Sequence, residues 1–179
     1  MDDAGLIARV LGGDRQAART LYDAHAPRVY RTTYRLAGDE TVAQECTQEA
    51  FVRAFQRLDR FRGDAALSTW LTRIAVTVTL NALRQRRRWG ARETALDDAG
   101  DLPAAEPYGL EVDVRERVAQ AIDALPEMYR AVVVLHDVEG YTHGEIGTML
   151  GVPEGTCKTR LFVARRKLRE MLAVYMNDR

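Results

Sequence analysis

The segment from Thr142 to Arg169 constrains the fold of this chain more than any other part of its sequence. Thr142 and Glu145 have the spacing of a capping box, which predicts that a helix begins there. Gly151 can adopt the left-handed conformation that ends a helix, and Pro153 fits the first turn of the next one. The segment is therefore predicted to form two helices separated by a tight turn.

The second of these helices carries an unusual charge pattern. Six cations and no acid lie between Lys158 and Arg169. Leu161, Ala164 and Leu168 form an apolar stripe at helical spacing beneath the cations. A helix of this kind packs on one face, docks on a phosphate backbone with the other, and presents its N-terminal side chains to base edges. The pattern predicts a DNA-binding helix-turn-helix.

Charge elsewhere in the chain is clustered in the same way. The formal net charge is zero, so any attraction to nucleic acid must come from local clusters. Residues 84–88 contain four arginines, whereas residues 93–106 contain five acids and no base. No apolar run approaches the roughly 20 residues of a membrane span, and no signal-peptide pattern is visible. We therefore expect a cytoplasmic protein that does not insert into membranes.

Apolar periodicity is helical throughout, and no alternating strand pattern occurs. Asp14 is a candidate N-cap, and further helices are predicted over residues 41–58 and 68–87. Residues rich in Gly, Ala, Asp and Pro follow, which is typical of a linker. Helical periodicity returns at Val114, and Pro126 separates two more helices. The predicted fold class is all-α, with two small helical domains at residues 1–89 and 113–179 joined by an acidic flexible linker at 90–112.

Residues 61–88 combine three kinds of side chain that suit unpaired bases. Phe61 and Trp70 offer aromatic surfaces, Asn81 offers an amide, and Arg84 to Arg88 offer charge. Bases removed from a duplex need surfaces to stack on, amides to read their edges, and cations along the strand. The alternative is that both aromatic residues are core, which we favour for Trp70, and that the arginines are a solvated helix end.

These stretches together resemble the extracytoplasmic-function (ECF, group IV) sigma factors of the sigma-70 family. The resemblance is carried, in the family's order, by 21-LYDAHAPRVY-30, 48-QEAFVRAF-55, 61-FRGD-64, 68-STWLTRIA-75, 124-ALPE-127, 137-DVEGY-141 and 153-PEGT-156. It implies an alternative sigma factor for a stress or environmental response, whose partners are core RNA polymerase, promoter DNA and an anti-sigma factor. Cofactors, metals and small-molecule ligands are not expected.

The resemblance also implies roles for individual residues. Promoter −35 recognition falls on Thr156, Lys158, Thr159, Arg160, Phe162, Arg165 and Arg166. Recognition and melting of the −10 element fall on Phe61, Arg62, Gly63, Asp64, Thr77, Asn81, Arg84, Arg87 and Arg88. Polymerase binding falls on the helix at residues 41–58, through Gln48, Glu49, Phe51, Val52 and Arg53.

Two other classes of function compete with this one. A stand-alone helix-turn-helix repressor or activator would account for residues 113–175 but would leave the 61–88 segment without a role. An enzyme is not expected, because the three histidines are scattered and neither a nucleophile–base pair nor a phosphate loop is visible. Cys46 and Cys157 fall where a helix needs a small apolar residue, and they lack the spacing of a zinc site.

Overall fold

The computed structural model describes residues 3–93 and 114–176, with side chains described for residues 3–86 and 114–173. All regular structure in these ranges is helical, and the chain separates into two compact units, residues 1–88 and 89–179. The α-helices are α1 (Asp3–Leu11), α2 (Arg15–Ala37), α3 (Glu40–Gln56), α4 (Leu67–Glu93), α5 (Val114–Asp123), α6 (Glu127–Val133), α7 (His143–Leu150) and α8 (Glu154–Met176). The predicted all-α fold class is confirmed.

Local signals define where the helices of the first unit begin. The Asp14 carboxylate accepts hydrogen bonds from the backbone N–H groups of Gln16 and Ala17, at 2.9 and 3.0 Å, and so caps α2 as predicted. Asp39 caps α3 in the same way, through the N–H of Val42. The predicted end of α3 at Leu58 is two residues late, because Leu58–Arg60 form a separate 3-10 turn.

The core of the first unit lies between α2, α3 and α4. Its fully buried side chains include Leu21, Leu36, Leu58, Leu67 and Val76. Tyr22 of α2 packs against Phe51 of α3 with ring centroids 4.6 Å apart. The hydroxyls of Thr33 and Thr47 are joined by a buried hydrogen bond of 2.9 Å, which satisfies two polar groups inside the α2–α3 interface.

The second unit contains the predicted helix-turn-helix. Thr142 and Glu145 form both hydrogen bonds of a capping box, and Gly151 ends α7 with a φ of 68°. Between α6 and α7 the chain makes a π-helical turn at Val134–Val138, in which the N–H of Glu139 donates to the carbonyl of Val134. The sequence did not predict this turn.

The boundary between the predicted domains also differs from the observed helices. α4 continues to Glu93, six residues beyond the predicted end at Arg87. The first four residues of the predicted 90–112 linker therefore belong to a helix. The remainder of that linker lies outside the described residues.

Candidate nucleic-acid interfaces

The packing of α8 decides which of its side chains can meet a partner. Cys157, Leu161 and Ala164 are buried, so this face of α8 lies against the rest of the unit, mainly α6 and α7. Helical geometry then turns the residues between them outward. Phe162 is 65% exposed, which is high for an aromatic side chain in a folded domain. The outward face of α8 is therefore exposed to solvent and not packed against the rest of its unit.

The residues predicted to read the −35 element lie on or beside this outward face. Lys158, Thr159 and Phe162 are exposed, whereas Thr156 and Arg160 are half-buried. Lys158 pairs with Glu154 one turn earlier at 2.7 Å, and the Thr159 hydroxyl donates to the carbonyl of Gly155. The ion pair holds the pKa of Glu154 below its ordinary value. The side chains of Lys158 and Thr159 both remain on the surface, where a partner can reach them.

Arg165 and Arg166, like Lys158, are each paired with an acid, but the two arginines have different kinds of partner. Arg165 makes two hydrogen bonds to the carboxylate of Asp137 in the π-helical turn, with Nε 3.1 Å from Oδ2. Arg166 lies 3.7 Å from Glu170 of its own helix, in an exposed pair. The family resemblance assigns both arginines to −35 recognition, but the structure gives them different surroundings.

Asp137 has a second hydrogen-bond partner, Nδ1 of His136 at 2.8 Å. Partial burial of Asp137 opposes its ionisation, but the hydrogen bonds from Arg165 and His136 outweigh it and hold the pKa of Asp137 below its ordinary value. The ring of His136 also packs against that of His143, the first residue of α7, with centroids 4.4 Å apart.

In the first unit, the loop after the 3-10 turn brings two aromatic side chains together. Phe61 and Trp70 are 5.4 Å apart between ring centroids, and both are half-buried against the core. Neither of the two alternatives raised by the sequence holds in full, because each ring is partly core and partly surface. The next three residues of the loop, Arg62, Gly63 and Asp64, are exposed beside this pair.

One face of α4 carries the remaining residues predicted for the −10 element. Thr77, Asn81 and Arg84 are exposed at intervals of four and three residues, which places them on one stripe. Arg73, which was not among the predicted −10 residues, is exposed one turn before Thr77 and extends the stripe. The four-residue spacing of Arg73 from Thr77 is the sequence feature that predicts its place on this face. Arg87 and Arg88 lie in the last turns of α4, where side chains are not described.

The predicted polymerase-binding residues on α3 divide into exposed and buried positions. Gln48 and Glu49 are exposed, Val52 is 49% exposed, and Arg53 pairs with Glu49 at 2.6 Å. Phe51 is only 3% exposed, so its prediction as a direct contact is corrected. Because Phe51 packs against Tyr22 and Phe55, it can affect a partner only by holding α3 in place.

A groove of about 370 Å³ opens beside this face of α3, between α2 and α3. It is lined by Tyr22, Asp23, Ala26, Pro27, Tyr30, Gln44, Thr47 and Gln48. Exposed Val52 and the neighbouring groove together give this side of the unit an apolar surface with a polar edge, which is typical of a protein-binding surface.

The two cysteines play no part in these surfaces. Cys46 and Cys157 are both buried, and burial raises the pKa of each thiol. A buried, protonated thiol behaves as a small apolar side chain.

Among the described helices, none is long and apolar enough to cross a bilayer.

Comparison with known proteins identifies both units. The family model for sigma-70 region 2 matches residues 21–89, and that for sigma-70 region 4 matches residues 115–168. The chain is 37% identical to the ECF RNA polymerase sigma factor SigE of Mycolicibacterium smegmatis, over 91% of this chain and 66% of that protein. It is 33% identical to the RNA polymerase sigma-H factor of Pseudomonas aeruginosa, over 98% and 96% of the two chains. It is also 33% identical to the ECF RNA polymerase sigma factor SigW of Bacillus subtilis, over 93% and 94%.

Solved structures support the fold. The sigma factor RpoE of Bartonella quintana, solved with the anti-sigma factor NepR, matches with a TM-score of 0.57 at 22% identity, covering 87% of this chain and 96% of that one. CnrH, solved with the cytosolic domain of CnrY, matches with a TM-score of 0.53 at 24% identity, covering 94% and 96%. The region 2 and region 4 matches, together with the relatives that share nearly the whole length, show that this chain belongs to the ECF sigma factors of the sigma-70 family.

Proposed function

We propose that this chain directs promoter-specific initiation by core RNA polymerase, with its first domain at the −10 element and its second at the −35 element. The observation that carries the proposal is the outward face of α8, where Lys158, Thr159 and Phe162 are exposed on a helix-turn-helix whose other face is buried. A repressor would need only this surface. The exposed stripe on α4 and its aromatic loop add a second surface suited to nucleic acid.

Within the second domain, the start of α8 is proposed to enter the major groove of the −35 element. Lys158 is placed to donate to base acceptors or phosphate, and Thr159 can both donate and accept. Phe162 has no polar group, so its exposed ring suits a thymine methyl. Thr156 and Arg160, which are half-buried, fit the edges of the same contact.

Within the first domain, the α4 stripe and the Phe61–Asp64 loop are proposed to hold the unpaired non-template strand. Thr77, Asn81 and Arg84 supply a hydroxyl, an amide and a cation along one face. The Phe61–Trp70 pair gives a base an apolar edge on which to stack, because both rings are half-exposed yet fixed against the core. Arg62, Gly63 and Asp64 would close over the captured base, and Arg87 and Arg88 would continue the basic track.

The exposed face of α3 is proposed to bind core polymerase. Gln48, Glu49 and Arg53 would make the polar contacts, and Val52 would make the central apolar one. An anti-sigma protein that occupied this face would block polymerase binding, which gives such an inhibitor a direct mode of action. Acting with polymerase on chromosomal DNA, the chain would be cytoplasmic and would not itself be an enzyme.

Run-off transcription tests the proposal. Core polymerase, a template library and the purified chain should yield specific start sites that core polymerase alone does not produce. Promoters selected in this way should carry two elements separated by a fixed spacing. If the chain only represses transcription by a complete holoenzyme, the repressor reading is correct and the sigma-factor proposal is wrong.

A further inference from the structure

Arg165 is the one predicted −35 residue whose guanidinium is held in the structure by an acid from a different part of the chain. Its partner, Asp137, is 28 residues earlier in the sequence and contributes both carboxylate oxygens. Two parallel hydrogen bonds fix the orientation of a guanidinium as well as its position. The pair therefore ties the middle of α8 to the π-helical turn that precedes α7.

Asp137 also connects to the first turn of α7. Its carboxylate is 2.8 Å from Nδ1 of His136, and the His136 ring packs on that of His143. One carboxylate thus links the turn to α8 directly, through Arg165, and to α7 through the two imidazole rings. The angle between α7 and α8 determines where the start of α8 enters a groove.

The charges argue that this pair is kept when DNA binds. The Asp137 side chain is 30% exposed, and Arg165 neutralises it. If Arg165 turned towards a phosphate, it would leave the carboxylate without its cation while a second anion approached. That exchange replaces one charge-assisted pair with another and adds a repulsion. Arg166 has only a long, exposed pair with Glu170 to give up.

From this geometry we infer that Arg165 is a positioning residue for −35 recognition, acting through Asp137, and that it is not a phosphate ligand. The inference rests on the proposed function, in which α8 reads the −35 element. Arg165 and Asp137 together would set the angle of α8, and Lys158, Phe162 and Arg166 would make the DNA contacts that depend on that angle.

Salt dependence separates the two roles. The 179-residue chain is titrated with two labelled short duplexes. One is a duplex that the wild-type chain selected from a randomised pool, and the other is a scrambled duplex of the same composition. Loss of one phosphate contact lowers the slope of log affinity against log salt by about 0.9. Arg166→Gln should show that decrease. Arg165→Gln should leave the slope unchanged while reducing discrimination between the two duplexes by roughly an order of magnitude, as one mismatched base pair does.

Replacement of Asp137 should change DNA binding in opposite directions for the two roles. Asp137→Asn should reduce discrimination in the same way as Arg165→Gln, and the double variant should be no worse than either single one. Were Arg165 a phosphate ligand restrained by Asp137, Asp137→Asn would instead free it and tighten binding to both duplexes. Arg165→Lys keeps the charge but loses the two-pronged geometry, so it should lose discrimination and retain the salt slope.

Thermal unfolding in the same buffers shows whether each variant is folded during the titration. If Arg165→Gln is not folded, Arg165→Lys replaces it in the comparison. A decrease of about 0.9 in slope for Arg165→Gln, or tighter binding by Asp137→Asn, overturns the inference. A wild-type chain that selects no duplex at all also overturns the inference, whereas the run-off assay with core polymerase decides the proposed function separately.

Discussion

Gly147 of α7 lies against the backbone carbonyl of Val152, in the turn that separates the two helices of the helix-turn-helix. A Cβ built at position 147 would be 2.8 Å from that oxygen, closer than a carbon and an oxygen can pack. The N–H of Val152 donates to the carbonyl of Gly147 at 3.0 Å, so the two backbones meet directly. The absence of a side chain at 147 therefore allows α7 and α8 to approach as closely as they do.

Gly147→Ala should destabilise the second unit. The added methyl group has backbone on the opposing side, which cannot move away as a flexible side chain would, and overpacking of this kind costs about 1–3 kcal/mol. Amide hydrogen exchange in α7 and α8 measures the effect. Gly155→Ala is the matched control, because a Cβ at 155 meets nothing within 4 Å and alanine favours a helix. Equal protection of these amides from exchange in the two variants would contradict the close backbone approach at Gly147.

Val52 and Phe51 are neighbours on α3 with opposite surroundings, so substitutions at the two positions should have opposite effects. Val52→Asp places a charge on an exposed surface and should change the free energy of unfolding by no more than about 0.5 kcal/mol. It should nonetheless weaken binding to core polymerase by about tenfold, as loss of an interface anchor does. Urea denaturation and a competition assay against a labelled sigma factor provide the two measurements.

Phe51→Ala should instead cost about 3–5 kcal/mol in unfolding free energy, because it leaves a cavity in the core of the first unit. Leu11→Asp is the surface control, since Leu11 is exposed on α1 and has no assigned role. If Val52→Asp binds polymerase as well as Leu11→Asp does, the polymerase-binding surface is not on this face of α3.

Phe162→Ala should separate stability from promoter recognition. Its ring is largely exposed, so truncation should leave the unfolding free energy of the second unit within about 0.5 kcal/mol of wild type. Transcription from a promoter with an intact −35 element should fall by about tenfold, because the ring is proposed to contact a thymine methyl. Met128→Ala removes another exposed apolar side chain from the same unit and should have no such effect.

Asn81→Ala should impair strand opening more than promoter binding. The side chain is exposed on α4 and accepts a hydrogen bond from Arg84 at 3.3 Å, so it is available to an unpaired base without supporting the core. Permanganate reactivity of thymines around the −10 element should decrease in the variant. A template with a pre-formed bubble should restore transcription, whereas an equal defect on both templates would contradict a role in melting.

The carboxylate of Asp137 predicts an acid-dependent contribution to the stability of the second unit. Its pKa in the folded state is held below the ordinary 3.8, so ionised Asp137 favours folding above that pH. This contribution should disappear as pH falls through the lowered folded pKa. Wild type should therefore exceed Asp137→Asn in stability at neutral pH, and the two curves should converge in acid. Circular dichroism at a series of pH values measures both curves, and parallel curves would show that the ion pair adds nothing.

Features that depend on neighbouring residues were predicted from the sequence alone. The caps at Asp14 and Thr142 and the helix end at Gly151 are confirmed. Of the predicted α8 stripe, Leu161 and Ala164 are buried and Leu168 is half-buried. Each cap or helix end depends on side-chain and backbone groups within about one helical turn.

Features that depend on contacts distant in sequence were decided only by the tertiary structure. The sequence showed that Phe51 is apolar and belongs to α3, but only the position of Tyr22 on α2 shows that its ring is enclosed. The sequence also showed that Arg165 is one of six cations on α8. Its pair with Asp137 is visible only in the tertiary structure, where the π-helical turn packs beside α8. The sequence by itself therefore determined the all-α fold class, the helix caps at Asp14 and Thr142, and the family. The tertiary structure decided which polar groups are satisfied inside the protein and which remain exposed for DNA and polymerase, because only packing brings distant residues together.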